Sequence, residues 1–186
     1  CLIPLFEKYF KISPRIVKHK YKNSYHIVLE NKKIFEFFIN YVGLKRGRKI
    51  NITVPEKIRT NPKFLKLFLR GIFDTDGYLK FSKQEVEGKN YYPRIRFSLC
   101  KTPFSLGLGD LLDELGFNYN FCIDKRNGIL CYELAGKSNL NKWVKTIGIS
   151  NPVHLTKYLV WKKFGSLEPN LSLEDRKKLL KETFIK

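Results

Sequence analysis

The sequence contains no methionine and only four cysteines, Cys1, Cys100, Cys122 and Cys131, in 186 residues. No two of them make a Cys-x-x-Cys spacing, which excludes the common zinc-ribbon and redox motifs and leaves reduced thiols of an intracellular protein as the reading. The three histidines, His19, His26 and His154, are too scattered to make a ligand cluster by spacing. No apolar run approaches the roughly 18 residues of a membrane span, and no signal peptide is visible, so a membrane partner is not expected. Acid is scarce as well: 17 Asp and Glu stand against 36 Lys and Arg, a formal net charge of +19. Such an excess calls for a polyanionic partner, nucleic acid first. With 43% hydrophobic and 15% aromatic residues the chain can build a real core, which sets it apart from a disordered basic tail.

The most informative stretch runs from Asn61 to Gly77. Asn61-Pro62 reads as a helix start, with Asn61 capping and Pro62 at the first helical position. From Phe64 to Phe73 only Lys66, Arg70 and Gly71 are not large and apolar, so the helix is expected to be buried on nearly all sides. Gly71 in its middle costs roughly 1 kcal/mol against alanine, which makes sense if another backbone comes close. The helix delivers Asp76 at its C-terminal end, where open carbonyls and partial negative charge favour a cation. A carboxylate beside free carbonyl oxygens is a half-site for a hard divalent metal. An EF-hand loop fits less well, because Gly77 falls too early and Tyr78 is no ligand.

The run Leu69-Arg70-Gly71-Ile72-Phe73-Asp74-Thr75-Asp76-Gly77 resembles the signature of the LAGLIDADG homing endonucleases. The resemblance implies an α+β saddle of tandem αββαββα repeats, with two signature helices side by side at its centre and antiparallel sheets covered by helices. It also implies that Asp76 and the backbone carbonyl of Thr75 bind catalytic metal, Mg²⁺ or another divalent ion. The implied activity is site-specific cleavage of double-stranded DNA by metal-assisted phosphodiester hydrolysis, with paired cuts leaving short 3′ overhangs. A catalytically inactive DNA-binding regulator, or an RNA maturase acting on structured RNA, would use the same fold.

The chain also repeats itself. Gly43 and Gly148 close similar segments at an offset of 105 residues, and at that offset Phe6 meets Leu111, Phe10 meets Leu115, Ile27 meets Tyr132 and Phe38 meets Trp143. The second copy, 55–168, reads as complete: a signature helix over 62–76, strands Tyr78–Lys83 and Pro93–Cys100 joined by a polar loop over 84–90, and a helix from Pro103 to Leu115. A hairpin around Asn127-Gly128 follows, then a helix capped by Ser138 and ended by Gly148. The first copy, 1–54, holds only a helix end over 1–10, a hairpin over Lys18–Leu29 and a helix over Lys32–Val42, so a truncated first repeat is expected. With both repeats such a protein would be a monomer; with one signature helix it would dimerise through helix 62–76. The tail 169–186 reads as a helix begun by Ser172, with Glu174 and Asp175 early and Lys177, Lys178 and Lys181 late, matching the helix dipole.

Strand alternation marks the DNA face. Ile95, Phe97 and Leu99 form the core set, so Arg94, Arg96 and Ser98 face outward; Leu79 and Phe81 face in, so Lys80 and Ser82 face out. A twisted sheet bearing Arg, Lys and Ser on one face can enter the major groove, where Arg reads guanine edges and Lys meets phosphates. Lys18, Lys20, Lys22 and His26 are the further DNA-binding candidates of the first copy. The resemblance implies a basic residue near the catalytic centre after the last helix of each repeat: Lys49 in the first copy, and His154 or Lys157 in the second. It places Lys101, at the end of the second strand, where a polar residue orients the attacking water.

Overall fold

A computed structural model describes residues 3–47, 51–83 and 90–181. Two compact units divide the chain, Cys1–Gly47 and Arg48–Lys186. Among the described residues no helix is long and apolar enough to cross a membrane.

The first unit holds helix α1 (Ile3–Phe10), strands β1 (Arg15–Lys18) and β2 (Tyr25–Val28), and helix α2 (Lys32–Glu36), which continues as a π-helical turn over Phe37–Val42. The strands form an antiparallel hairpin in which Lys18 pairs with Tyr25 and Arg15 with Val28. Asn31 caps α2, its side chain accepting from the Ile34 N–H at 3.0 Å. The centre of this unit is a ring cluster: Phe10 packs against Phe37 and Phe38, with ring centroids 5.9 and 5.8 Å away. Gly43 ends the π-helical turn at a φ of 88° and Gly148 follows a helix of the second unit at 86°, so the two glycines aligned at the 105-residue offset share a left-handed backbone.

The second unit is an α+β body. It runs α3 (Glu56–Arg59), α4 (Pro62–Asp76), β3 (Gly77–Lys83), β4 (Asn90–Leu99), α5 (Pro103–Leu106), α6 (Leu108–Glu114), β5 (Asn120–Ile123), β6 (Leu130–Ala135), α7 (Lys137–Thr146), α8 (Pro152–Phe164) and α9 (Leu173–Lys181). The sheet is antiparallel throughout, in the order β3-β4-β6-β5. Its inner face carries Leu79, Phe81, Ile95, Phe97, Leu130, Tyr132 and Leu134, all buried against Leu69, Phe73, Leu108, Leu112 and Trp143 of the helices. Trp143 anchors this layer, its ring 5.3 Å from Phe73, 5.7 Å from Phe97 and 5.5 Å from Phe117.

Several sequence expectations need correction. Helix α4 is not buried on nearly all sides. Leu65, Leu69 and Phe73 fill the core, whereas Phe64 and Leu67 are 49% and 45% exposed, and a side chain at Gly71 would meet nothing within 4 Å. The helix is amphipathic, with Lys63, Lys66, Arg70 and Asp74 recurring every three or four residues along one side. The segment expected as one helix from Pro103 to Leu115 breaks at Gly107 into α5 and α6. Ser138 does not cap α7; Gly136, at a φ of 94°, precedes the helix and Ser138 lies in its first turn. Helix α8 was not expected, although Asn151-Pro152 repeats the start used by α4: Asn151 Oδ1 accepts from the Val153 N–H at 2.9 Å. Ser172 does begin α9, its hydroxyl accepting from the Asp175 N–H at 3.1 Å. The polar loop over 84–89 lies outside the described residues, while Asn90 opens β4.

Candidate nucleic-acid interface and metal-binding acid

The two acids of the signature have different surroundings. Asp74 is tied into the fold. Its carboxylate accepts from the Ser150 N–H at 3.1 Å and the Asn151 N–H at 3.0 Å, and its carbonyl accepts from Asn151 Nδ2 at 2.7 Å. These bonds fasten the start of α8 to the end of α4. Asp76, one residue before β3, is exposed and receives a side-chain hydrogen bond from Thr75 Oγ1 at 3.2 Å. Thr75 also donates to the Gly71 carbonyl at 3.0 Å. An acid in the last turn of a helix sits at the negative end of the dipole, which is unfavourable by a few tenths of a kcal/mol or more. Gly77 follows for a steric reason: a Cβ there would lie 2.6 Å from a Phe73 ring carbon and 2.9 Å from the Phe73 carbonyl oxygen.

The sheet's outer face is built by register. Lys80 stands opposite Arg94, Tyr78 opposite Arg96, and Arg96 in turn opposite Glu133. Ser98 faces Cys131, which faces Cys122 on β5. Arg94, Arg96, Lys80, Ser82 and Ser98 therefore share the side opposite the core, since Ile95, Phe97, Leu79 and Phe81 between them are buried. Arg94 is held in place: Nε donates to Ser82 Oγ at 3.1 Å, Nη1 pairs with Glu133, and the guanidinium lies 5.2 Å from the Tyr92 ring centroid. Arg96 donates to Cys131 Sγ at 3.2 Å, while its buried Nε has no hydrogen-bond partner. Burial pushes the Cys131 thiol up, but the hydrogen bonds from Arg96 and Ser98, the Arg96 charge and the contact with Cys122 outweigh it, and the thiol lies below its ordinary value. Glu133, Tyr92, Cys122 and Cys131 were absent from the expected face. Alternation in Leu130-Cys131-Tyr132-Glu133-Leu134 carries the signal that would have found two of them.

The remaining candidates are dispersed. Because Gly77 pairs with Phe97, the end of β4 projects past the start of β3, which places exposed Lys101 at the same end of the sheet as Asp76. His154 is buried under the end of α4, its ring 4.9 Å from Phe73 and hydrogen-bonded to the Gly77 backbone, with Nδ1 unpartnered. Burial first, then the Lys157 charge, hold its pKa below the ordinary histidine value, and Asp74 offsets this in part. Lys157 is half-buried and donates to the Leu79 carbonyl at 3.2 Å; burial and the Arg176 charge lower its pKa. His154 and Lys157 thus lie against α4 and β3 and do not share the outer sheet face. Lys49 lies outside the described residues. In the first unit Lys18, Lys20, Lys22 and His26 are all exposed on or beside the β1–β2 hairpin, and the His26 ring packs 5.3 Å from His19. Among the described residues no three His, Cys, Asp or Glu gather as a metal cluster.

The second unit is thus an α+β body with one sheet face in the core and the other basic and polar. No protein-family profile matches the sequence, and no curated protein sequence matches it. Among solved structures the chain is similar to the homing endonuclease I-CvuI, in complex with the I-CreI target in the presence of Mg with the DNA not cleaved. That match has 13% identity over 65% of this chain and 95% of that one, with a TM-score of 0.40. It is also similar to the meganuclease I-SmaMI bound to an uncleavable DNA, at 17% identity over 80% of this chain and 50% of that one, TM-score 0.42. I-SmaMI bound to uncleaved DNA target with calcium ions matches at 16% identity over 73% and 45%, TM-score 0.42. The chain therefore spans about half the length of I-SmaMI.

Proposed function

We propose that the chain is the DNA-binding and acid-bearing part of a site-specific, metal-dependent endonuclease of the homing type. The observation that carries this reading is the placement of a basic, hydrogen-bonding sheet face beside an exposed acid at the end of a signature helix. Lys80, Arg94 and Arg96 share the outer face, and β3 begins directly after Asp76. On this reading Arg94 and Arg96 contact base edges or phosphates in the major groove. Glu133 holds Arg94 extended, and Lys101 meets the backbone near the cleaved bond. His154 and Lys157 act from behind, keeping the α4–β3 junction in place. Lys18, Lys20, Lys22 and His26 of the first unit are further DNA-binding candidates, on or beside its own hairpin.

The residues at the junction fit Mg²⁺, which keeps several waters and binds through one or two carboxylates plus substrate phosphates. Asp76 offers an exposed carboxylate, and the Thr75 carbonyl belongs to the last helical turn, where carbonyls lack partners along the helix. When bound, such an ion supplies charge stabilisation at the phosphate and a water of lowered pKa. A second carboxylate would come from a second signature helix, packed against the exposed Phe64, Leu67 and Gly71 face of α4. It could belong to the same polypeptide or to another copy.

Sites selected from random duplex DNA provide the test. The protein, alone and joined to a second signature helix, is incubated with a plasmid carrying a selected site and Mg²⁺. The expected result is cleavage only when two signature helices are present, abolished by Asp76→Asn with binding retained. Cleavage that survives Asp76→Asn refutes the site assignment. Specific binding without cleavage in any divalent metal identifies a regulator, and preference for structured RNA identifies a maturase.

A further inference from the structure

The outer face of the sheet carries two thiols that the nuclease reading does not use. Cys122 on β5 and Cys131 on β6 are direct cross-strand partners, and their side chains are in contact. The Asp124 N–H donates to the Ile129 carbonyl at 2.8 Å, one hydrogen-bonded pair further along the same hairpin. By alternation Cys122 and Cys131 form the next pair of that kind, for which the Cα separation is about 5.5 Å. A disulfide spans Cα separations of roughly 4.4–6.8 Å, so the Cα spacing suits the bond. It also needs Cβ atoms about 3.5–4.5 Å apart, where opposite strand residues hold them about 4.5–5.5 Å apart. The hairpin must therefore close slightly, which makes the bond easier to reduce. The two cysteines differ in access: Cys122 is exposed, whereas Cys131 is only 4% exposed. Cys131 is also the one with a cation, Arg96 Nη2 at 3.2 Å, and with Ser98 Oγ at 3.9 Å.

We propose that Cys122 and Cys131 are a reversible dithiol–disulfide site, oxidised by hydroperoxides. The exposed Cys122 sulfur attacks a peroxide oxygen; the O–O bond breaks, Cys122 becomes a sulfenic acid, and the leaving oxygen departs with the thiol proton as water or an alcohol. The Cys131 thiolate, favoured by Arg96, then attacks the Cys122 sulfur. The S–S bond forms, the S–O bond breaks, and hydroxide takes a proton and leaves as a second water. Two thiols lose two electrons and one peroxide gains them. A second thiol in contact directs oxidation to a disulfide instead of a higher oxide. The bond would take the sulfur acceptor from Arg96, which already carries an unpartnered Nε, and so free the guanidinium for another acceptor. Resting on the DNA-binding reading of that face, oxidation therefore leaves Arg96 free to meet DNA and tightens duplex binding.

The test treats the reduced protein with hydrogen peroxide, blocks remaining thiols and digests with trypsin without reductant. Cleavage at Lys125 and Arg126 separates the two cysteines into peptides 102–125 and 127–137. The expected product is these two peptides joined, two hydrogens lighter than their sum, and released by a thiol reductant. Cys100→Ser should leave that product unchanged, and Cys122→Ser should abolish it. A bond from the Cys100 peptide, 97–101, or Cys122 accumulating as sulfinic acid with Cys131 unmodified, overturns the proposal. If the cross-link forms but neither redox state binds duplex DNA, the thiol site stands and the DNA-binding reading falls.

Discussion

Replacing Asp74 and Asp76 by alanine, one at a time, should separate the acid that fastens the fold from the one proposed to bind metal. Asp74 accepts from two backbone N–H groups, those of Ser150 and Asn151, at 3.1 and 3.0 Å. Hydrogen bonds to a charged group contribute about 1.5–3 kcal/mol each, and a donor left bare costs about 1–3 kcal/mol. Asp74 is only partly buried, so water can reach the freed donors and recover some of this. The Asn151 side chain still holds the carbonyl of residue 74. Asp74→Ala should therefore cost about 2 kcal/mol, or about 4–8 °C in Tm for a chain of this size. Asp76 is exposed, with a hydrogen bond from its neighbour Thr75. Its replacement should stay within about 0.5 kcal/mol, and losing an acid at the negative end of α4 should be neutral or slightly stabilising. Urea titration reads both variants, with a lowered midpoint and unchanged slope expected for Asp74→Ala. Equal destabilisation by the two variants, or a neutral Asp74→Ala beside a costly Asp76→Ala, would refute this division of roles.

Gly71→Ala should raise stability by about 0.5–1 kcal/mol, because the position is helical and open; a loss in chemical denaturation would show that a second backbone packs there. Gly77→Ala should instead lower stability, since its Cβ would fall 2.9 Å from the Phe73 carbonyl oxygen. His154 is held neutral in the fold by burial and by Lys157, so the unfolded chain takes up that proton first as pH falls. Its contribution is complete above the ordinary histidine pKa of about 6.5 and is lost as pH drops below it. His154→Gln should flatten the fall in stability between about pH 7 and 5, and an unchanged slope would place the effect elsewhere.

How far the sequence could be read depended on whether one residue's environment decides its role. The alternation from Pro93 to Leu99 identified the outer face correctly, because a buried Ile95 and Phe97 force Arg94 and Arg96 to the other side. Asn61-Pro62 located the start of α4, and the cap is present at 3.0 Å. The extent of burial around α4 could not be read, since an apolar stripe does not reveal whether anything covers it. The division between Asp74 and Asp76 was hidden for a similar reason: the partners of Asp74 lie 76 and 77 residues away in sequence. Helix α8 shows in the sequence only through Asn151-Pro152, because His154, Lys157, Lys162 and Lys163 interrupt any apolar stripe. The break at Gly107 between α5 and α6 follows from a short helix ending where Gly107 donates to the Pro103 carbonyl at 3.1 Å. Nothing in the apolar pattern from Pro103 to Leu115 announces it.

The most direct test of the central claim is the affinity of the protein for duplex DNA as a function of salt, measured for the wild type and for the Arg94→Ala/Arg96→Ala variant. A face that neutralises phosphates releases counterions, with log affinity falling by about 0.9 per log unit of salt for each phosphate contacted. The account predicts a steep negative slope for the wild type. For the variant it predicts weaker binding, altered site preference, and a shallower slope wherever the lost arginines met phosphate. Removal of Arg94 also leaves Glu133 as an unpaired negative charge on the same face, adding to the loss. A salt response that is flat, or affinity and preference unchanged in the double variant, would contradict the assignment of this sheet face to DNA.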